Sequence, residues 1–589
     1  MLQALMEYGS NLDSEPGFKT REVRWCIELA DDGHFLNVLP LGDGKRGEMQ
    51  PRCPDMHGMV AGGKSHFLVE TAQTIALLFK SNEEEKTIAR AKEKQQFFIE
   101  MLRKAATSSP ELSAIVSALE HQETLTEIRT ALTQHKAKPT DWLGWRINST
   151  DPRGNETVQT WWREWRRTDL GESRTNSPAQ DAANDSMVCF LTGELVQPLA
   201  TQPKITGLSG VGGLGMGDVM VGFDKAAFSS FGLEQSANAA MGALAVQKYV
   251  DGLNDLVRNH SRKLANALVV HWFKIQVAPE DDPFEWLNGF DSDDATKASA
   301  HIAARNMLDA IRNGKRADLG SNHYYAMTLS GASGRVMVRD WMEGQFENLV
   351  ANIAAWFSDL SIAFDTNTLA FDPKFYEVCL ALVRNDRTKS ISKNLEQLPA
   401  PTAATLWKVA FQNLPIPQPL MAQALARFRA DHIKDESFNH ARMGLIRAYF
   451  VRLQPGGDTA MTAYLNPDHP APAYHCGRLL AILANLQRAA LGDVGAGVVQ
   501  RYYASASQTP GLIIGRLAAN ARNHLSKLDG GLAYWYEEQI ADVMSRLGDG
   551  APRTLDLNGQ GLFALGYYQQ LAKLRPGNKS NDTNKGEKQ

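Results

Sequence analysis

The sequence of 589 residues predicts an α+β protein, in which a mixed α/β N-terminal region of β-hairpins and helices precedes an all-α C-terminal helical bundle. Residues 22–29 alternate large apolar and polar side chains ahead of an Asp-Asp-Gly turn, which is typical of a hairpin strand. Residues 81–106 have acidic groups at the start, basic groups at the end and apolar groups at helical spacing, which predicts a helix. From 421 to 570 the apolar spacing is helical nearly throughout, which predicts the bundle.

The other N-terminal elements follow from the same patterns. Residues 34–39 supply the second strand of the hairpin, and the Gly-rich stretch 42–63 is predicted to be a loop. Five tryptophans follow, at 142, 145, 161, 162 and 165. The last three share one helical face, which favours packing into a core. Base stacking is the alternative role for such rings.

Breaker-rich stretches predict three domains. Residues 171–185 are polar and resemble an exposed linker, and prolines gather at 399, 401, 415, 417 and 419. We therefore expect an N-terminal α+β domain (1–175), a central α+β domain with a Gly-rich loop (186–395) and the helical bundle (396–575). The central domain should be rich in strands as far as about residue 228, with a further strand pair near 323–338. The tail, 576–589, is expected to be disordered.

Composition restricts the function. The chain has 62 basic and 66 acidic side chains, a net charge of -4 and a pI near 6.4, which is not the overall charge of an autonomous nucleic-acid binder. Any nucleic-acid contact should therefore be local. No secretion signal or membrane-spanning stretch is evident. The five cysteines are widely spaced, so a cytoplasmic protein with free thiols is expected.

The sequence contains no catalytic or cofactor motif in a suitable structural context. The glycines at 210–215 formally fit G-x-G-x-x-G, but strand-type residues follow them where a dinucleotide site needs a helix N-terminus. The sequence has no H-E-x-x-H, G-x-S-x-G or Walker motif and no zinc spacing. We therefore expect no enzymatic activity, no cofactor and no metal site. What remains is a loop of six glycines within 207–217 that can lie close to another backbone.

Several stretches resemble one known family in order and spacing. They include Cys-Phe-Leu-Thr-Gly-Glu-Leu-Val-Gln-Pro at 189–198, Val-Met-Val-Gly-Phe-Asp at 219–224, Tyr-Val-Asp-Gly-Leu-Asn at 249–254, Gly-Arg-Val-Met-Val-Arg-Asp-Trp at 334–341, Ala-Tyr-His-Cys-Gly-Arg-Leu-Leu at 473–480 and Gly-Leu-Phe-Ala-Leu-Gly-Tyr-Tyr-Gln at 561–569. With them the chain resembles the large subunit of the type I-C CRISPR interference (Cascade) complex, a Csd-type CRISPR-associated protein. The resemblance spans nearly the whole chain. One departure is Asp224, where the family often has Asn, and a carboxylate there would repel phosphate.

The resemblance implies a non-catalytic DNA-binding subunit. Such a subunit recognises the protospacer-adjacent motif in double-stranded DNA, nucleates unwinding, stabilises the displaced strand and helps to recruit a helicase-nuclease, while CRISPR RNA reads the target by base pairing. Its other implied partners are the backbone subunits, the repeat-processing ribonuclease subunit and a small subunit translated from its own C-terminal region. Two alternatives remain open, a scaffold subunit that does not read DNA and a nuclease.

The resemblance and residue chemistry together select candidate DNA contacts. Amides and small polar groups suit a groove or a wedge, and cations suit phosphates. Each has a structural alternative: glycines serve tight turns, Gln and Asn cap helices, and Arg forms salt bridges. The candidates for motif reading or for the wedge are Lys204, Gly210, Gly212, Gly213, Gln235, Asn238 and Lys64. The candidates for the DNA backbone are Lys45, Arg46, Arg52, Arg335 and Arg339.

The C-terminal bundle is the implied small-subunit region. Translation from Met461 would give residues 461–589, with 13 basic and 10 acidic side chains and thus a net charge of +3; Met443 is the alternative start. A positive groove suits a single strand. Its candidate contacts are Arg478, Arg488, Arg501, Arg516, Arg522 and Lys527.

Overall fold

The structure is a computed structural model in which two compact units are distinguished. The first comprises Met1–Gly207, Leu214–Asn259 and Ser333–Val336, and the second comprises Leu208–Gly213, His260–Ala332 and Met337–Gln589. The division into three domains stays a prediction. The residues that the structure describes are 1–12, 15–43, 46–56, 63–169, 186–199, 201–228, 231–288, 300–386, 388–432, 439–453, 459–492, 497–548 and 550–575. The predicted linker and the predicted disordered tail lie outside them.

The first unit contains a mixed four-stranded sheet and two small antiparallel pairs. Its strands are β1 Phe18–Val23, β2 Trp25–Leu29, β3 Phe35–Pro40, β4 Glu48–Pro54, β5 Glu70–Thr71, β6 Trp142–Ile147, β7 Met187–Val188 and β8 Leu195–Val196. The sheet order is β3-β2-β6-β5, β1 pairs with β4, and β7 pairs with β8. The antiparallel pairing of β2 with β3 confirms the predicted hairpin. The prediction of a loop over 42–63 was wrong in part, because β4 lies there; its two prolines, tolerated at an edge strand, hid the pattern.

Helices and aromatic rings complete the first unit. The helices are α1 Leu2–Gly9, α2 Ala72–Ile75, α3 Glu85–Ala106, α4 Ser113–Glu120, α5 Gln122–Gln134, α6 Glu156–Asp169 and α7 Ala243–Asn259. Helix α3 confirms the predicted one. On α6, Trp162 and Trp165 are buried and stack on each other with ring centroids 5.4 Å apart. The core prediction for these rings is confirmed.

The segment before α7 has little regular structure. The predicted strand-rich stretch reduces to β7 and β8 and to isolated bridges such as that between Val219 and Arg335. Three 3-10 turns follow one another, at Ser209–Val211, Ala226–Phe228 and Gln235–Ala239. The prediction was therefore wrong in extent, since frequent glycines interrupt any long ladder.

The second unit packs one antiparallel sheet against helices. Its strands are β9 Ser261–Leu264, β10 Ala267–Phe273, β11 His323–Ala332 and β12 Arg335–Gln345, in the order β12-β11-β10-β9. The first two residues of β12 belong to the first unit. The predicted strand pair near 323–338 is confirmed. The helices are α8 Pro283–Asn288, α9 Ala300–Arg312, α10 Ala317–Gly320, α11 Phe346–Leu360, α12 Phe375–Leu380, α13 Ile391–Leu395, α14 Ala400–Gln412, α15 Gln418–His432, α16 His440–Val451, α17 Pro472–Leu491, α18 Val498–Ala506, α19 Pro510–Leu525, α20 Gly530–Ser545 and α21 Leu557–Leu574.

One hydrophobic core runs through the second unit. It includes Leu264 and Val269 of the sheet, Trp356 of α11, Trp407 of α14 and Tyr568 of α21. The helical bundle therefore shares its core with residues that precede 396, although the predicted α+β fold class with a helical C-terminal part is confirmed. Among the described residues, no helix combines the length and the apolar character needed to cross a membrane.

Candidate nucleic-acid interface

Lys204 lies at an exposed turn of the first unit that α7 holds in place. The next residue, Ile205, exchanges two backbone hydrogen bonds of 2.8 Å with Asp218. Asn254 of α7, which is buried, accepts a 2.8 Å hydrogen bond from the backbone N–H of Thr206. These contacts fix the backbone while the Lys204 side chain stays exposed. An anchored backbone with a free ammonium suits a phosphate contact.

Asp218 organises the same part of the first unit. Its side chain is fully buried, and its carboxylate accepts the backbone N–H of Leu214 at 3.2 Å. The adjoining residue, Val219, accepts the backbone N–H of Val336 at 2.9 Å. A buried carboxylate that receives backbone hydrogen bonds is a structural feature. Asp218 therefore holds the turn and is not a DNA contact.

Arg335 is exposed, and its nearest anion is the carboxylate of Asp224. Arg335 Nη2 lies 3.8 Å from Asp224 Oδ1, with 53% of the Arg335 side chain and 77% of the Asp224 side chain exposed. An exposed ion pair at this distance contributes little energy. The guanidinium can therefore exchange this partner for a phosphate, although the carboxylate of Asp224 stays close by and repels the phosphate.

Gly212 and Gly213 pack against another strand of the chain itself. In the second unit they lie against Gly331 of β11, and a Cβ added to Gly331 would lie 2.1 Å from the Cα of Gly213. Gly212 also has a φ of +91°, which disfavours other residues. Gly210 has nothing within 4 Å of the Cβ position and is exposed. Gly210 therefore offers an open backbone to a ligand, whereas Gly212 and Gly213 have Gly331 beside them.

Gln235 and Asn238 lie in the 3-10 turn Gln235–Ala239. Gln235 has a φ of +46° and an exposed side chain. Asn238 donates from its amide nitrogen to the carbonyl oxygen of Gln235 at 3.0 Å. One donor of Asn238 is thus used locally, whereas no hydrogen bond of the Gln235 side chain is seen within the described ranges. Gln235 is the better placed of the two to meet a base edge.

The cationic candidates between residues 45 and 64 differ in their exposure. Lys45 lies outside the described residues. Arg46 is exposed and Lys64 is half-buried. Arg52 Nη2 lies 2.8 Å from Glu15 Oε2, and its guanidinium lies over the ring of Phe18. The charge of Arg52 is therefore partly neutralised within the protein.

Arg339 is exposed on β12 of the second unit. Its Nε donates a 2.8 Å hydrogen bond to the hydroxyl of Ser330 on β11. That bond fixes the side chain beside the sheet. Its positive charge is not part of any ion pair among the residues described, so it remains a candidate for a phosphate.

Arg478 is not a surface residue, and its assignment to a groove for the displaced strand was wrong. Only 2% of its side chain is exposed. The guanidinium donates to Gln570 Oε1 at 3.0 Å and to the carbonyl oxygen of Pro467 at 3.2 Å, and it lies 3.3 Å from Asp542 Oδ2. The neighbouring residue, Gly477, brings α17 against α21 so closely that a Cβ would lie 2.0 Å from the carbonyl oxygen of Phe563. This close helix packing removes Arg478 from solvent.

The other five bundle candidates are exposed. Between residues 472 and 528, helices α17, α18 and α19 and their connections contain six Lys and Arg and one Asp, so the net charge is +5. The whole protein carries -4. Positive charge is therefore concentrated on these helices. The exposed side chains are Arg488, Arg501, Arg516, Arg522 and Lys527.

Sequence comparison identifies the family. The model of a family described as CRISPR-associated protein (Cas_Csd1) matches residues 3–575. The chain belongs to the Cas_Csd1 family. No curated protein matches it. The family match confirms the resemblance found in the sequence and indicates a CRISPR-associated protein that works with other subunits of a CRISPR effector complex.

For this Cas_Csd1 protein, sequence reasoning missed the residues that position the candidate contacts. Asn254 and Asp218 were not selected, although Asn254 lies in a stretch that resembles the family and Asp218 directly precedes another. The signal was weak, because a single Asn or Asp in a sequence does not reveal that its side chain is buried against a distant backbone group.

Within the described part of the chain, no group of three or more His, Cys, Asp or Glu side chains is arranged to hold a metal.

Proposed function

We propose that this Cas_Csd1 protein is the large, non-catalytic subunit of a type I-C CRISPR surveillance complex. In this role it reads a short motif in the DNA duplex, starts strand separation and holds the displaced strand. The concentration of positive charge on α17, α18 and α19 supports the last step. A chain of net charge -4 repels DNA at long range, whereas a local net charge of +5 attracts a single strand.

Two functions are thus assigned to different parts of the chain. The turn with Lys204, together with Arg335 and Gln235 in the first unit, is the proposed contact for the duplex motif. The helices of the bundle are the proposed contact for the displaced strand. The alternative function, a scaffold subunit, draws support from Gly212 and Gly213, whose steric requirement is satisfied inside the protein.

The displaced-strand role is tested by removing three charges from the bundle. The triple variant Arg501→Gln, Arg516→Gln and Arg522→Gln is assembled into the complex, and binding to a target with a displaced strand is measured as a function of salt. Each phosphate contact to a single strand contributes about 0.7 to the log-log slope. Loss of three contacts should lower the slope by about 2.

A matched control removes the same charge elsewhere. Lys86, Arg90 and Lys92 are exposed residues of α3, and their replacement by Gln should leave the slope unchanged. If both triple variants change the slope equally, the effect is one of overall charge. If neither changes it, the bundle does not hold the strand and the scaffold function is favoured.

The motif-reading role has a test in the opposite direction. Asp224→Asn removes the carboxylate beside Arg335, so binding of the complex to a duplex should become tighter at low salt. Arg335→Ala should weaken it, and the double variant should resemble Arg335→Ala. Duplexes that differ only beside the target site show whether the change affects motif recognition. Unchanged binding in both single variants would contradict the assignment.

A further inference from the structure

A cavity opens among three helices of the bundle, in the region of concentrated positive charge. Its volume is about 130 Å³. It lies between α17, α18 and α19. The residues that line it are Leu483, Gln487, Val498, Arg501, Tyr502, Leu517, Asn520, Ala521 and His524.

The cavity is lined by both apolar and polar side chains. Leu483, Leu517 and Ala521 are buried, whereas Arg501 and Asn520 are exposed. A planar ring with polar edges suits such a lining, because its faces contact apolar groups while its edge accepts and donates hydrogen bonds. A cavity of about 150 Å³ is known to hold a single benzene ring. The volume is therefore of the order needed for one six-membered ring.

Polar groups at the cavity are available to a ligand. The Nδ1 atom of His524 is buried and has no hydrogen-bond partner among the described residues. Burial and the positive charge of Lys527 lower the pKa of His524, so its ring is neutral near pH 7. No hydrogen bond or ion pair of the Arg501 guanidinium or the Asn520 amide is seen in the part of the chain that the structure describes. An unpaired buried nitrogen costs free energy that a ligand can recover.

We infer that this cavity binds one pyrimidine base of a single-stranded nucleic acid, with Arg501 at the rim contacting a phosphate of the same strand. The inference rests on the proposed function and deepens it, because the strand is then held by an inserted base as well as by charge. Base contacts of this kind contribute substantially to single-strand binding. The cavity helices expose Arg488, Arg501, Arg516, Arg522 and Lys527, and these cations favour a polyanion over a free neutral ring.

The test blocks the cavity with an added ring and uses a neighbouring position as the control. Asn520 lines the cavity, whereas the adjacent Ala519 is exposed and does not. Asn520→Trp and Ala519→Trp thus add a ring to the same helix, one at the cavity and one beside it. The full-length chain is titrated at low salt with an oligothymidylate of roughly ten nucleotides, within the site sizes of such proteins, and with an abasic strand of equal length.

The unchanged chain should bind oligothymidylate about tenfold more tightly than the abasic strand, the size of one base contact. Asn520→Trp should abolish this preference, and Ala519→Trp should retain it. Arg501→Gln should weaken both strands alike and leave the preference intact. Equal binding of the two strands by the unchanged chain, or a preference that survives Asn520→Trp, would overturn the inference.

The same titrations separate the inference from the proposed function. Salt-dependent binding without base preference removes the cavity from the interface and leaves the charged helices as the strand contact. Absence of any single-strand binding removes both. An oligouridylate arm distinguishes the source of the strand: tighter binding of oligothymidylate assigns the cavity to DNA, whereas binding of oligouridylate alone keeps the cavity and overturns the displaced-strand assignment.

Discussion

Replacement of Arg478 should reduce stability and not nucleic-acid binding directly. The guanidinium is buried and forms hydrogen bonds with Gln570, His475 and the carbonyl oxygen of Pro467. Its ion-pair partner, Asp542, is 44% exposed and returns to water when the arginine is lost. The cost of Arg478→Ala therefore comes mainly from the buried groups that lose their donor and from the cavity that the missing side chain leaves.

The magnitude follows from these contacts. Truncation of one member of a buried charged network costs about 3–5 kcal/mol, and each hydrogen bond lost from a charged donor accounts for about 1.5–3 kcal/mol. Burial also lowers the pKa of Arg478, against the opposing effects of Tyr474 and Asp542, and an ion pair in such a site contributes little net stability. An apolar replacement of similar length should therefore be better tolerated. We expect a smaller loss for Arg478→Met than for Arg478→Ala.

Urea unfolding followed by far-UV circular dichroism measures both losses. Arg501→Ala is the comparison, since an exposed substitution changes stability by only about 0.5 kcal/mol while it removes a proposed strand contact. Oligonucleotide binding is measured for each variant under conditions in which it is folded. The assignment of Arg478 to the core would be refuted if Arg478→Ala kept its full stability but bound a single strand as weakly as Arg501→Ala.

Three further predictions concern backbone and pH. Gly212→Ala and Gly331→Ala should each destabilise the protein by about 1–3 kcal/mol, because Gly212 has a φ of +91° and a Cβ on Gly331 would lie 2.1 Å from a neighbouring Cα. Gly210→Ala has open space around it and should leave the unfolding midpoint unchanged. Equal effects at 210 and 331 would contradict this prediction. Asn254→Ala removes an acceptor from the backbone N–H of Thr206 and should cost about 1–3 kcal/mol and increase hydrogen exchange at that amide, whereas unaltered exchange would disprove the anchoring role. Burial, with a smaller contribution from Arg575, lowers the pKa of His440 from 6.5 to about 4. The unfolded chain therefore binds more protons between these pH values, and the free energy of unfolding falls by at most about 3 kcal/mol as the pH drops through that window. His440→Gln should show a flatter pH dependence of unfolding, and an identical slope would count against the prediction.

Local patterns in the sequence predicted much of the fold. The β2-β3 hairpin, helix α3, the β11-β12 pair and the C-terminal helices depend on neighbours a few residues apart, so periodicity and turn residues were sufficient. Strand β4 was missed because its prolines and the glycines before it resemble a loop until β1 provides the hydrogen bonds. The stretch near 219 was overestimated as strand because apolar β-branched residues suggested a ladder that the glycines around them interrupt.

The candidate interface was predicted less well, for the same physical reason. A sequence shows that Arg478 and Arg501 are both basic residues in a helical region, and it does not show which of them faces another helix. Gly477 permits the close packing of α17 on α21 that buries Arg478, and this depends on residues about ninety positions away. Likewise, Gly212 appeared free to approach a ligand, while β11 already occupies the space beside it.

The sequence by itself determined the family, the α+β class and the sign of the charge on the C-terminal helices, since these are properties of composition and local order. Only the tertiary structure decided which cations are exposed, which glycines lie directly against the chain's own backbone and where a cavity opens among α17, α18 and α19. Burial and close approach arise between residues far apart in the chain, and no local pattern records them.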